Sequence, residues 1–176
     1  LERFALPVKK KFSQFSKGMK MKLQIAAALS HDAELLVMDE ATSGLDPVVR
    51  SEMLDVFMEY IADEGHSILM SSHITSDLER IADSITFIHG GKILMSDYKD
   101  VILDNHRIIK CSDEGLADID DEDIISIRKS QFGNDVMVKN YTEHGYKYSS
   151  MITDRASLDE ILLFRVKGMN GREWTV

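Results

Sequence analysis

Apolar and small positions over residues 16–30 recur at helical spacing: Met19, Leu23, Ala26, Ala27 and Ser30 share a face, Ser16 is placed to cap, and Gly18 lies in the first turn. Leu35 to Met38 is a short apolar block, preceded by Glu34 and followed by Asp39 and Glu40. Lying between helices, it predicts a buried parallel strand. Asp46-Pro47 starts the next helix, with Asp as N-cap and Pro at the first helical position. Met53, Leu54, Phe57, Met58 and Ile61 form its buried face, and Gly65 closes it. Ser67 to Ser71 predicts a second strand, Ser72-His73 its exit, and residues 74–83 a further helix. Ser84 to Ile88 and Lys92 to Met95, joined by His89-Gly90-Gly91, predict a hairpin. The order from 16 to 95 is helix, strand, helix, strand, helix, strand, strand. That order is α/β, with function expected at the carboxyl ends of the strands.

The pattern changes from about residue 104. A candidate strand, Arg107 to Cys111, is followed by an acidic stretch and by two strands meeting near Gly133-Asn134. After Tyr141 to Ser150 a closing helix runs from about Ser157 to Val166. Residues 104–176 therefore predict a small appended α+β domain behind an α/β part covering 1–100. The chain shows no internal repeat and no low-complexity linker.

Composition narrows the class. With 176 residues, 44% hydrophobic and 29% charged, the chain is a globular mixture with one ordinary core, or one and a small second domain. No apolar run approaches the roughly 20 residues that span a bilayer. The first residue is Leu1, with no basic-then-apolar leader behind it, so no signal peptide is expected and the natural start is expected to lie upstream. Cys111 is the only cysteine, which excludes an intrachain disulfide framework and a thiolate metal cluster and fits a reducing compartment. The net charge of −9 argues against nonspecific nucleic-acid binding.

That charge is uneven. Residues 1–22 hold seven Lys/Arg against the single acid Glu2, while residues 113–123 hold seven acids and no base. The basic end suits an anion, lipid headgroups or simple solvation. An EF-hand calcium loop needs Gly at its sixth position, and counting from Asp118 that position is Asp123, so the acidic stretch is expected to be solvated and structurally unremarkable. The six His show no paired spacing for a metal.

Chemistry concentrates at the first strand's end. Alternation along a strand sends Asp39 and Glu40 in opposite directions. One carboxylate then holds a divalent metal through water while its neighbour polarises an attacking water, as phosphoryl transfer requires. A pair of acids solvating a strand exit reads the same way in isolation.

The surroundings decide. Asp39-Glu40-Ala41-Thr42-Ser43-Gly44-Leu45-Asp46-Pro47 resembles the Walker B motif running into the D-loop of ABC ATPases. Phe15-Ser16-Lys17-Gly18-Met19 resembles the ABC signature, usually Leu-Ser-Gly-Gly-Gln, at the expected distance upstream. Ser71-Ser72-His73 resembles the switch histidine closing the next strand. The likeness covers about residues 1–100 and is closest to ATP-binding subunits of bacterial exporter-type transporters. It implies the C-terminal part of a P-loop NTPase (ABC-type) core.

The resemblance implies a role for each residue. Ser16, Lys17 and Gly18 would bind nucleotide in trans, touching the γ-phosphate held by the opposite subunit from a helix N-terminus. Asp39 would hold Mg²⁺ through water, Glu40 would be the general base, and His73 would sense the γ-phosphate. Ser43, Gly44 and Asp46 would form the D-loop, with Asp46 communicating across the dimer; a plain Ser or Asp helix cap is the competing reading for Ser16 and Asp46. ATP and Mg²⁺ are the implied cofactors. A second ATPase subunit and an integral membrane permease are the implied partners, and nucleic acid is not. The implied place is cytoplasmic, peripheral at the inner face of the membrane. Lys17 and Met19 replace the usual Gly and Gln, and Ala41 replaces the usual Pro, which is expected to loosen the backbone after Glu40.

A phosphate-binding loop needs Gly, four residues, then Gly-Lys-Ser/Thr. The only Gly-Lys pair is Gly91-Lys92, which Ile93 follows, with Thr86 at the position of the first Gly. The 176 residues thus hold no Walker A loop, and by themselves they are expected not to hydrolyse ATP. By resemblance the strand carrying that loop would lie between the strands at 67–71 and 84–88. Its absence leaves edges that predict aggregation or completion by another segment. Two alternatives stay open: a non-catalytic interaction fragment acting through the domain from 104, and an ABC-type ATPase of DNA repair or translation. The latter usually carries coiled coils or a second ATPase copy, which the tail lacks.

Overall fold

The computed structural model describes residue 4, residues 6–31 and residues 33–175. Leu1, Glu2 and Arg3, the predicted truncated start and part of the basic run, lie outside them. Contacts divide the chain into two units, Leu1–Ile81 and Ala82–Val176.

In the first unit, α1 (Lys17–Leu29) is followed by β1 (Leu35–Asp39), α2 (Pro47–Ile61), β2 (Ser67–Ser71) and α3 (Thr75–Ile81). Ser16 and Asp46 begin α1 and α2 as the sequence predicts: each side-chain oxygen accepts from the backbone N–H three residues on, at 3.2 and 3.1 Å. β1 and β2 pair in parallel and in register from Leu35 opposite Ser67 to Asp39 opposite Ser71. The two carboxylates and the turn to His73 therefore leave the sheet at one end. Phe4, Leu6, Ile25, Met53, Leu54, Val56 and Phe57 make the buried core, against which Met38, Ile68 and Met70 pack from one side of the sheet. Lys22 reaches Glu52 at 2.6 Å and Arg80 reaches Asp55 at 2.5 Å, joining α1 to α2 and α3 to α2.

One expectation is corrected. β1 was read from the sequence as a buried strand, yet Leu36 alone of its residues is buried, while Val37 and, on β2, Leu69 are 71% and 63% exposed. The sheet here has two strands, and the core lies against one of its faces.

The second unit opens with the hairpin β3 (Ser84–His89) and β4 (Lys92–Tyr98), then α4 (Lys99–Asn105). β5 (Arg107–Cys111), β6 (Ile124–Ser130), β7 (Gly133–Val138), β8 (Ile152–Arg155) and β9 (Glu173–Thr175) form a five-stranded sheet in the order β8-β5-β7-β6-β9. Only β9 runs parallel to its neighbour. α5 (Tyr141–His144) and α6 (Leu158–Gly168) complete the unit, and Leu158, Ile161 and Phe164 of α6 are fully buried. Ser157 caps α6 in a reciprocal box with Glu160.

One residue of the acidic stretch is the second correction: Asp118, Asp120, Asp121 and Glu122 are exposed as expected, and Asp123 is not. Asp123, expected to be solvated, is fully buried and accepts from Tyr148 Oη at 2.7 Å, His144 Nδ1 at 2.7 Å and Asn140 Nδ2 at 3.4 Å. Burial pushes its carboxyl up, but these hydrogen bonds outweigh it and hold the group below the usual carboxylate range. Asp120 and Asp121 pair with Lys147 and Arg172 at 2.5 and 2.9 Å. Asp123 is a structural anchor for the segment from 140 to 148. Asp123→Asn is expected to cost about 2 kcal/mol in urea unfolding, because charge-assisted bonds become neutral and one acceptor becomes a donor. A loss below about half a kcal/mol would remove the anchor role.

Candidate functional site

Two groups of side chains form where the strands of the first unit end. The first is built on the β1–β2 register. Ser71 closes β2 opposite Asp39, and its hydroxyl donates to the Asp39 carboxylate. The Glu40 N–H then donates to Ser71 O at 3.1 Å and to Ser71 Oγ at 3.2 Å. Glu40 turns into the left-handed region at φ 52°, which costs a non-glycine residue about 1–2 kcal/mol. The bonds to Ser71 hold this turn, and the turn sends the Glu40 side chain toward the exit of β2.

There it meets His73. Glu40 Oε2 lies 2.5 Å from His73 Nδ1. This is an ion-pair distance without hydrogen-bond alignment, and it leaves Oε2 enclosed with no hydrogen-bond partner. The two side chains remain 39% and 67% exposed, so a ligand in solution reaches them. A carboxylate at hydrogen-bonding range of an imidazole, one residue from a second carboxylate, is equipped to move a proton from a bound water.

The second group joins the start of α1 to the loop between β1 and α2. Successive turns close on Ser43 N–H to Glu40 O at 3.0 Å and Leu45 N–H to Thr42 O at 3.4 Å. Gly44 adopts φ +65°, and a side chain there would run into Lys17 Nζ. Val49 and Leu45 stand 3.5 and 3.9 Å from where a Cβ would project at Gly18. These are ordinary packing distances, so α1 lies against the start of α2 with room for a methyl group at position 18, and Lys17 spreads over the loop. The positions the sequence singles out fall into these groups: Asp39, Glu40 and His73 at the strand ends, and Lys17, Gly18 and Gly44 at the loop. Ser16 and Asp46 act as helix caps, and Ser43 closes the turn after Glu40.

Sequence reasoning gives no role of their own to Ser71, Thr42, Arg50 and Asp77. Ala41 and Thr42, expected to be loose without a Pro at 41, are 4% and 1% exposed. Thr42 Oγ1 donates to Asp77 Oδ2 at 2.6 Å, and Arg50 Nε donates to Asp77 Oδ1 at 2.7 Å. A buried carboxylate thus replaces a stiff residue as the restraint on the loop.

Asp39 and Glu40 suit a hard divalent ion. Mg²⁺ is held in phosphoryl-transfer sites by one or two carboxylates, with waters and phosphates filling the rest. Glu40 Oε2 itself is enclosed with His73 Nδ1 2.5 Å away, so a ligand meets the pair through the exposed remainder of the two side chains. Among the described residues no cluster of three or more His, Cys, Asp or Glu forms a metal cage by itself. No helix among them is long and apolar enough to cross a membrane.

Residues 3–43 match the family model described as ABC transporter. The lantibiotic transport ATP-binding protein SrtF of Streptococcus pyogenes is 45% identical over 87 residues, 49% of this chain and 38% of that protein. The bacitracin transport ATP-binding protein BcrA of Enterococcus faecalis is 43% identical over 86 residues, 49% of this chain and 28% of that protein. Its namesake in Bacillus licheniformis is 34% identical over 140 residues, 78% of this chain and 46% of that protein, a match long enough to extend into the second unit. The chain spans less than half the length of these relatives. Among solved structures, an ATP-binding cassette in a dimeric post-hydrolysis state with ADP and Pi matches at a TM-score of 0.50 and 17% identity, over 55% of this chain and 43% of that one. An ABC transporter in an inward-facing conformation matches at 0.50 and 17%, over 76% and 51%. Both carry the ABC-type α/β ATPase fold.

Proposed function

From the premise that this chain carries the ABC transporter ATP-binding sequence, we propose that it is part of the ATP-hydrolysing subunit of a membrane transporter. The observation that carries the proposal is the strand-end group, with Asp39 and Glu40 leaving β1 and His73 leaving β2 at one end of a parallel pair. In this reading Glu40 takes the proton of the attacking water, and His73 orients Glu40 and contacts the terminal phosphate. Asp39, steadied by Ser71, holds the waters of a Mg²⁺ ion, which when bound supplies charge neutralisation on the phosphates. Ser16, Lys17 and Gly18 serve a nucleotide held by a second subunit, and Ser43, Gly44 and Asp46 line the same junction. Lys17 adds a positive charge where the family pattern has Gly, which favours a phosphate at the start of α1.

Residues 1–100 supply this ATPase part, and residues 104–176 an appended domain. The subunit works as a dimer beneath a membrane permease, at the cytoplasmic face, and phosphate binding by a Walker A loop is supplied from outside these 176 residues. The test is Mg²⁺-dependent ATP hydrolysis by the complete subunit that contains this chain, assembled with its permease, beside the 176-residue chain alone. Hydrolysis by the first and none by the second is expected. A complete subunit that neither binds nor hydrolyses ATP would overturn the proposal and favour a contact role through the second unit.

A further inference from the structure

Among the described residues of the first unit Asp77 is the most buried ionisable group, 1% exposed, and it holds together segments far apart in the chain. It sits in the first turn of α3, four residues after His73. One of its carboxylate oxygens accepts from Thr42, two residues after Glu40, at 2.6 Å. The other accepts from Arg50, in the first turns of α2, at 2.7 Å, and the Arg50 guanidinium also donates to Ser76 at 2.8 Å. The turn from His73 into α3 is itself tied down: Ser72 Oγ accepts from the Ile74 N–H at 3.0 Å, and the Asp77 N–H donates to Ile74 O at 3.1 Å.

Besides the Glu40 N–H bonds to Ser71, two side-chain links thus join the Glu40 turn to the His73 turn. The outer link, Glu40 to His73, is largely in water, where an ion pair is weak and exchanges readily with ligand. The inner link, Thr42 to Asp77, is shielded from water, where a charge-assisted hydrogen bond is short and strongly directional. When a nucleotide or a water displaces His73 from Glu40, the inner link is the side-chain link that persists, beside the Glu40 N–H bonds to Ser71. A base must stay within hydrogen-bond reach of the proton it takes, and displacement by an ångström costs orders of magnitude in rate.

We propose that Asp77 is a positioning residue which, through Thr42, sets the distance between the Glu40 carboxylate and the His73 imidazole. The inference rests on the reading of Glu40 as the base, and its test separates the two. Thr42→Val removes the hydroxyl while keeping the shape and the Asp77–Arg50 pair; Thr42→Ser keeps the hydroxyl. In the complete subunit, Thr42→Val is expected to lower kcat for ATP about tenfold with KM changed less than twofold, and Thr42→Ser is expected to restore kcat to within about twofold of the parent. In the complete subunit without nucleotide, the His73 Cε1–Hε1 NMR cross-peak is expected to move in Thr42→Val and to stay in Thr42→Ser. A purely structural role would lower the melting temperature and leave both kcat per folded molecule and the His73 cross-peak unchanged; that result overturns the proposal. If turnover proves insensitive to Glu40, the reading of the base fails, and the His73 cross-peak still decides whether Thr42 and Asp77 position that side chain.

Discussion

Glu40→Gln in the complete subunit is expected to lower ATP turnover by about 10²–10⁴-fold, the usual worth of a positioned general base, while ATP binding holds. Gln has the size of Glu and keeps an oxygen toward His73, but it cannot take a proton at neutral pH. The backbone at position 40 is fixed by bonds from its N–H to Ser71, at 3.1 and 3.2 Å, which the substitution leaves in place. The Glu40–His73 pair is exposed at 39% and 67%, so removing its charge costs the fold no more than about 1 kcal/mol. A drop of two decades or more is then chemical rather than conformational. Single-turnover hydrolysis beside filter binding of ATP distinguishes the steps, with retained nucleotide and vanished phosphate release as the expected pair. Turnover within threefold of the parent would remove Glu40 from the chemistry and with it the interpretation of the strand end.

What the sequence disclosed about this site was local. Ser16 and Asp46-Pro47 announce helix starts because a side-chain oxygen and a fixed φ act within one turn, and the structure places α1 and α2 directly behind them. The β3–β4 hairpin follows from Gly90-Gly91, both at positive φ. What stayed hidden depends on partners distant in the chain. Asp77 draws its meaning from Thr42 and Arg50, 35 and 27 residues away, and nothing in a seven-residue helix marks it. Asp123 looked like one more acid in a run of them, since burial is decided by His144 and Tyr148, 21 and 25 residues on. α4 carries no side-chain cap, and the short strands β8 and β9 are defined only by pairing with β5 and β6. The open face of β1 was missed for the opposite reason: an apolar block states what a strand would bury, and only the neighbours state what it does bury.

The second unit should lose about 3 kcal/mol of stability as the pH falls from 6.5 to 4, through one side chain. His106, between α4 and β5, is 3% exposed, with Nδ1 2.6 Å from Ile102 O and Nε2 2.8 Å from an Arg165 nitrogen. An arginine can only donate, so Nε2 must accept, and the neutral ring with its proton on Nδ1 satisfies both contacts. Protonation would take away the acceptor and place a second cation beside Arg165, with Arg107 adjoining. Burial first, and then the charges of Arg165 and Arg107, lower the His106 pKa from 6.5 to about 4, against the raising effect of the Ile102 hydrogen bond. Above pH 6.5 the ring is neutral in the folded and the unfolded chain alike, and its contribution is fully present. Between 6.5 and about 4 the unfolded chain binds a proton that the folded chain refuses, so stability falls with falling pH; below that both are protonated and the slope ends. Trp174, the only tryptophan, packs edge-on against Phe164 at 5.4 Å within this unit, and its fluorescence reports the unit's unfolding in urea. His106→Gln, which can donate to Ile102 and accept from Arg165 without titrating, is expected to cost about 1 kcal/mol at pH 7 and to be the more stable form near pH 4. Carboxylates titrate equally in both chains, so the difference between them isolates His106. A difference independent of pH from 7 to 4 would mean that Arg165 tolerates the charged ring and that burial does not hold it neutral.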